Sequence, residues 1–122
     1  MGYSEPYGIE CGEGWRDIIS RTHEKLKYLD PDYSILQIKE KFGGLRYYFD
    51  SSEYVGVTYD IMNDVVSSAE REASYTCELC GASGIMKGKV KTRVDHGLYY
   101  TYCKECSDEF IERRRKNVQV HN

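Results

Sequence analysis

Two Cys-x-x-Cys pairs constrain this chain more than any other feature. Cys77 and Cys80 form the first pair, Cys103 and Cys106 the second, and 22 residues lie between them. A two-residue spacer lets both thiolates of a pair point at one ion about 2.3 Å away. The gap is long enough for a β-hairpin, so the pattern reads as one structural zinc held by Cys77, Cys80, Cys103 and Cys106. Gly81, directly after the first pair, suits the positive-φ turn by which a chain leaves such a knuckle. Four thiolates complete a tetrahedron and leave no position for an activated water, which makes the expected site a scaffold rather than a catalyst. Thiolates held on metal also fit a reducing, cytoplasmic setting.

With 122 residues the chain has room for one domain and a modest core. The net charge of −3 conceals an asymmetry. Residues 1–76 hold eight basic against fourteen acidic side chains, a charge of −6, and residues 77–122 hold nine against six, a charge of +3. An acidic whole argues against steering toward nucleic acid, so any such binding has to be local. No apolar run approaches the roughly 20 residues that span a bilayer, and the first residues lack a basic-then-apolar pattern, so neither a membrane span nor a signal peptide is expected.

The fold class expected is α+β: an acidic helix–hairpin–helix lobe over 1–76, joined to a treble-clef-like zinc lobe over 77–122 as one compact unit. Residues 1–13 read as an irregular arm, with Cys11 a free thiol. Trp15, Ile18, Ile19, Thr22, Leu26 and Leu29 follow the i, i+3, i+4 rule of an amphipathic helix, which Asp30-Pro31 stops. His23 sits beside that stripe as a packing residue. The hairpin over 35–50 is expected to turn at Gly43-Gly44. Its buried face would hold Leu36, Ile38, Phe42, Leu45, Tyr47 and Phe49, and its cationic, aromatic face Lys39, Lys41, Arg46 and Tyr48. A second helix is expected over about 60–74, packing Ile61, Met62, Val65, Ala69 and Ala73, with Thr58 or Asp60 as cap. In the zinc lobe, strands over 89–95 and 98–102 turn at His96-Gly97, and a helix follows from Ser107 to about Lys116. Val118 to Asn122 reads as a frayed tail.

Three surfaces invite function. Asp95-His96 between the cysteine pairs resembles HNH-type nucleases, but only six residues separate it from Cys103 and no third ligand is evident, so a turn histidine is the stronger reading. Lys87, Lys89, Lys91, Arg93 and Arg113–Lys116 form a basic strip of the sort that binds nucleic acid. The early acids Glu5, Glu10, Glu13, Asp17, Glu24, Asp30 and Asp32 form a solvated face able to dock on a basic protein groove.

Residues 36–50, with their Lys-Phe-Gly-Gly-Leu-Arg turn, together with Gly14-Trp15 and the Cys-x-x-Cys-Gly knuckle, resemble a family of small phage and prophage zinc-binding proteins. That resemblance implies a phage-borne chain working in the host cytoplasm. Its size and charge are similar to those of anti-CRISPR inhibitors, which bind the RNA-guided effector nuclease. The function implied is a non-enzymatic inhibitor of a host defence protein, with a nucleic-acid-binding regulator as the alternative.

Overall fold

In a computed structural model, the described residues are 8–52, 56–84 and 90–120, the side chains of 117–120 excepted. The architecture is α+β, with three α-helices and two small sheets among the described residues. In chain order they are β1 (Ile9–Glu10), a 3-10 turn (Glu13–Trp15), α1 (Arg16–Leu29), β2 (Ser34–Lys41), β3 (Gly44–Asp50), α2 (Val57–Ala73), β4 (Lys91–Asp95), β5 (Leu98–Tyr102) and α3 (Lys104–Val120). The first sheet runs β1-β2-β3, with β1 parallel and β3 antiparallel to β2. The second is the antiparallel pair β4-β5.

Helix α1 forms where its apolar stripe recurs. Ile18, Ile19, Thr22 and Leu26 are buried with Trp15 above them, and Asp30 leaves the helix in extended geometry before Pro31. Arg21 crosses from α1 to α2, meeting Asp17 at 2.8 Å and Glu72 at 2.6 Å, an exposed cluster worth little by itself. The arm read as irregular contains β1, whose two residues pair with Ile38 and Lys39. A strand that short has no periodicity to detect.

The hairpin departs from strict alternation in two places. Ile35 pairs with Phe49 and Gln37 with Tyr48, so Leu36 is the extra residue of a β-bulge. The bulge swaps faces, burying Ile35 with Ile38 and leaving Leu36 60 % exposed. The turn falls on Phe42-Gly43, at φ +54° and +82°, and Gly44 pairs with Lys41 as the first residue of β3. Phe42 is thus turned outward, 66 % exposed, and not in the expected core. Leu45 and Tyr47 face inward beside Ile38, as expected, with Phe49 half-buried.

Helix α2 starts three residues earlier than its pattern suggests. Gly56, at φ +112°, admits the chain without a side-chain cap, so neither Thr58 nor Asp60 has that role. Its buried stripe is Met62, Val66, Ala69 and Ala73, with Val65 at the margin and Ile61 exposed. Helix α3 begins at Lys104, so Cys106 lies in its first turn, and it continues to Val120 through part of the expected tail.

Asp30, expected on a solvated acidic face, is buried. Its carboxylate accepts from the Ser52 N–H and the Ser51 and Ser52 hydroxyls at 2.8–2.9 Å, and from the Asp32 N–H at 3.1 Å. These bonds, the Ser52 N–H foremost, hold its pKa below the ordinary 3.8. A lowered folded pKa means that the contribution to stability is complete above the ordinary value and is lost as the pH falls through the folded one. Asp30→Asn is therefore expected to lower the urea midpoint at pH 7, with the gap to wild type narrowing below pH 4. A gap that stays constant down to pH 2.5 would refute this role.

Candidate metal centre

The first cysteine pair is set by a knuckle. The Cys77 N–H donates to the Ala82 carbonyl and the Gly81 N–H to the Cys77 carbonyl, both at 2.9 Å, while Thr76 and Ser83 form a bridge across its base. Gly81 has φ +80°, the left-handed geometry expected of it. The second pair straddles the start of α3, where the Cys106 N–H points at the Cys103 sulfur at 3.5 Å and the Ser107 N–H bonds the Cys103 carbonyl at 2.9 Å. Knuckle, hairpin and helix therefore converge in the order expected.

The four sulfurs lie within 4.8 Å of one another, and Cys80 Sγ is 3.8 Å from Cys103 Sγ. Sulfurs at the corners of a tetrahedron about 2.3 Å from a central ion stand about 3.8 Å apart. The donor set and its spacing thus fit one tetrahedral metal ion, the geometry and ligand type that zinc takes. Cys77 and Cys103 are buried, Cys106 is half-buried and Cys80 is open to solvent. Burial acts most strongly on Cys77 and opposes its thiolate, yet the N–H groups of Cys80, Cys103 and Leu79 outweigh it and lower its pKa. Burial raises the pKa of Cys80 and Cys106 in the protein without metal. A bound cation reverses that balance, since coordinating thiols lose their protons.

Support from outside the four ligands comes chiefly from the N-terminal half, and the cysteine spacing gives no sign of it. The Gly14 N–H donates to the Glu78 carbonyl at 2.7 Å, and the Trp15 indole N–H to the Thr76 carbonyl at 2.8 Å. The Gly12 N–H bonds the Glu78 carboxylate at 2.9 Å, and burial raises the pKa of that carboxylate. A Cβ on Gly14 would sit 2.1 Å from the Cys77 carbonyl oxygen, so only glycine permits this approach. From the other side, the Glu78 N–H bonds the Thr101 carbonyl, and the fully buried Thr101 hydroxyl donates to the Gly43 carbonyl at 2.6 Å. The hairpin turn of the first sheet is thereby fastened to β5. The glycines at 12 and 14 were the available signal, but a close approach in space leaves no periodicity.

The remaining candidates fall elsewhere. Cys11 is a free, half-buried thiol packed on the first core, and burial pushes its pKa up to about 12. His23 is half-buried, with Nδ1 2.5 Å from the Tyr33 hydroxyl, which in turn lies 2.9 Å from that of Tyr47. Burial lowers its pKa. His96 occupies the β4-β5 turn at φ +50°, with its ring exposed and 2.9 Å from one Asp95 oxygen. The other Asp95 oxygen meets Arg114 at 2.9 Å, which ties the hairpin to α3. Of the expected basic strip, Lys87 and Lys89 lie outside the described residues. Arg93 bonds the Tyr102 carbonyl at 3.4 Å, and Arg114 is paired with Asp95 and lies over the Phe110 ring. Among the early acids, Glu13 is paired with Arg16 and Asp17 with Arg21, and Glu5 lies outside the described residues. No helix among the described residues is long and apolar enough to cross a membrane. Compared with known proteins, the chain has no match: no family model fits it, and neither a curated protein nor a solved structure resembles it closely enough to pair with it.

Proposed function

We propose that this chain is a non-enzymatic, zinc-stabilised binding protein that acts by occupying a partner. The observation that carries this reading is the use made of the metal centre. All four corners of the tetrahedron are supplied by protein sulfur, and the knuckle carbonyls receive Gly14 and Trp15 from the other half of the chain. A site of that kind orders a surface and leaves no coordination position for substrate. Exposed apolar side chains such as Tyr28, Val57, Ile61 and Val94 supply contact area of the sort that partners cover.

The partner class is a host defence protein met by a phage-borne chain in the cytoplasm, most concretely a single-chain CRISPR effector nuclease. This rests on the resemblance of the Lys-Phe-Gly-Gly-Leu-Arg hairpin and on the acidic first half, which complements the basic groove of a nucleic-acid enzyme. A degenerate HNH-like nuclease ranks lower, because both Asp95 oxygens are already engaged, by His96 and Arg114. The test is capture of the tagged, zinc-loaded protein in extract from its host, with nuclease treatment before elution. A stoichiometric protein that survives treatment, and whose nuclease activity falls on adding the purified chain, is the expected result. Recovery of nucleic acid alone, or turnover of a substrate by the chain itself, would reject it.

A further inference from the structure

The solvent face of the first sheet combines three features with no structural purpose in common. Alternation from the bulge onward sends Ile38, Leu45 and Tyr47 to the core and Lys39, Lys41, Arg46 and Tyr48 to the opposite face. Lys39, Lys41 and Arg46 form no ion pair with any described residue. Four cations elsewhere among the described residues do form ion pairs, Arg16 with Glu13, Arg21 with Asp17 and Glu72, Lys104 with Asp108 and Arg114 with Asp95. Glu10 of β1 stands beside Lys39 as its register partner, and its carboxylate accepts from the Gln37 side-chain amide at 3.5 Å.

Exposed rings bracket the cations. Tyr48 stands at one end, opposite Gln37, and Phe42 at the other, in the turn just past Lys41, which is itself about 14 Å along β2 from Gln37 at about 3.4 Å per residue. Tyr99 of β5 continues the row, meeting Phe42 edge-on with ring centroids 5.8 Å apart, and the Lys41 ammonium lies over the Phe42 ring, 5.7 Å from its centroid. Phe42 is also the conformational outlier of the hairpin. A two-residue turn with both φ values positive favours Asn-Gly, and a bulky residue at φ +54° is strained. A strained aromatic left 66 % exposed, with a lysine ammonium beside it, offers a ligand both a stacking surface and a positive charge.

We infer that this face binds single-stranded nucleic acid, with bases stacked on Phe42 and Tyr48 and phosphates on Lys39, Lys41 and Arg46. Single strands present both an open base face for the rings and a regular anionic backbone for the cations. A duplex hides its base faces, and an acidic peptide has no use for the rings. The binding goes beyond occupancy of a protein partner, since the face lies across the sheet from the core on which α1 and α2 pack.

Fluorescence anisotropy with labelled 15-nucleotide oligo-dT, the matching duplex and a poly-Glu peptide, on the full zinc-loaded chain, tests it. Oligo-dT should bind more tightly than either competitor. Three phosphate contacts on a single strand give a slope of about −2 in log affinity against log salt, or roughly a 20-fold loss between 50 and 200 mM. Phe42→Asn is the informative variant. It creates the favoured Asn-Gly turn, so the melting temperature should hold or rise, while affinity for oligo-dT falls at least about fivefold with the lost stacking. Lys39→Gln with Arg46→Gln should flatten the salt slope. Unchanged affinity in Phe42→Asn, equal binding of duplex or poly-Glu, or no binding at 50 mM salt by the folded protein would each overturn the inference.

Discussion

Removing the metal is expected to unfold the C-terminal half rather than loosen it. The apolar cluster around the sulfurs contains Cys77, Val90 and Cys103, with Ala82, Tyr102 and Cys106 at its edge, so half of its side chains are the ligands themselves. Without an ion, what remains cannot offset the ordering of the knuckle and of β4-β5 at about 1–2 kcal/mol per residue. Structural zinc contributes on the order of 10–16 kcal/mol in small modules. A chain of this length is stable by roughly 6–18 kcal/mol in all, so loss of the ion removes most or all of the margin. Zinc analysis should return one ion per chain. Treatment with a strong chelator should abolish amide protection in β4 and β5 and shift the emission of Trp15, the single tryptophan, to longer wavelength. Cys103→Ala should do the same with metal present, since Cys103 is the buried ligand that Cys106 N–H also contacts. A metal-free protein that keeps its urea midpoint would remove the basis for treating the centre as scaffold.

Trp15→Ala is the second large effect expected, about 3–5 kcal/mol for a fully buried indole. Its consequence extends past the first core. The indole N–H satisfies the Thr76 carbonyl one residue before Cys77, so the variant also leaves a buried acceptor unpaired at the base of the knuckle. Chelator competition should therefore show weaker metal binding in Trp15→Ala as well as a lower denaturation midpoint. A core residue far from the knuckle, such as Leu26, gives the contrast. Leu26→Ala should cost about 2–5 kcal/mol while the metal affinity of the folded form stays near that of wild type. Equal loss of metal affinity in both variants would mean that Trp15 acts through global stability alone.

Gly14 explains why this junction is exacting. A side chain there would meet backbone of Cys77 and Glu78 at 2.1–2.6 Å, where neither can yield without moving a ligand. The metal centre thus depends on a glycine more than sixty residues away. Thr101 extends the same logic to the far side, carrying the contact from the knuckle through β5 to Gly43.

The amino-acid sequence by itself determined whatever depends on neighbours along the chain. The two cysteine pairs identify their own ligand set because each pair is a local unit. The α1 stripe and its stop at Asp30-Pro31 follow from helical period and from the geometry proline imposes. The His96-Gly97 turn and the order of knuckle, hairpin and helix were legible for the same reason. Only the tertiary structure decided which hairpin residues face water. The bulge at Leu36 and the turn at Phe42-Gly43 are selected by burying Ile35 and Ile38 with Leu45 and Tyr47 against the helices. That preference is set by packing across the sheet and overrides alternation within a strand. The same holds for Asp30, which reads as one acid among several until Ser51 and Ser52 are brought to it, and for Gly14 and Trp15, whose partners lie across the fold. Local pattern fixes the elements and the metal ligands, whereas contacts distant in sequence fix their facing, because their energy is absent until the chain has closed.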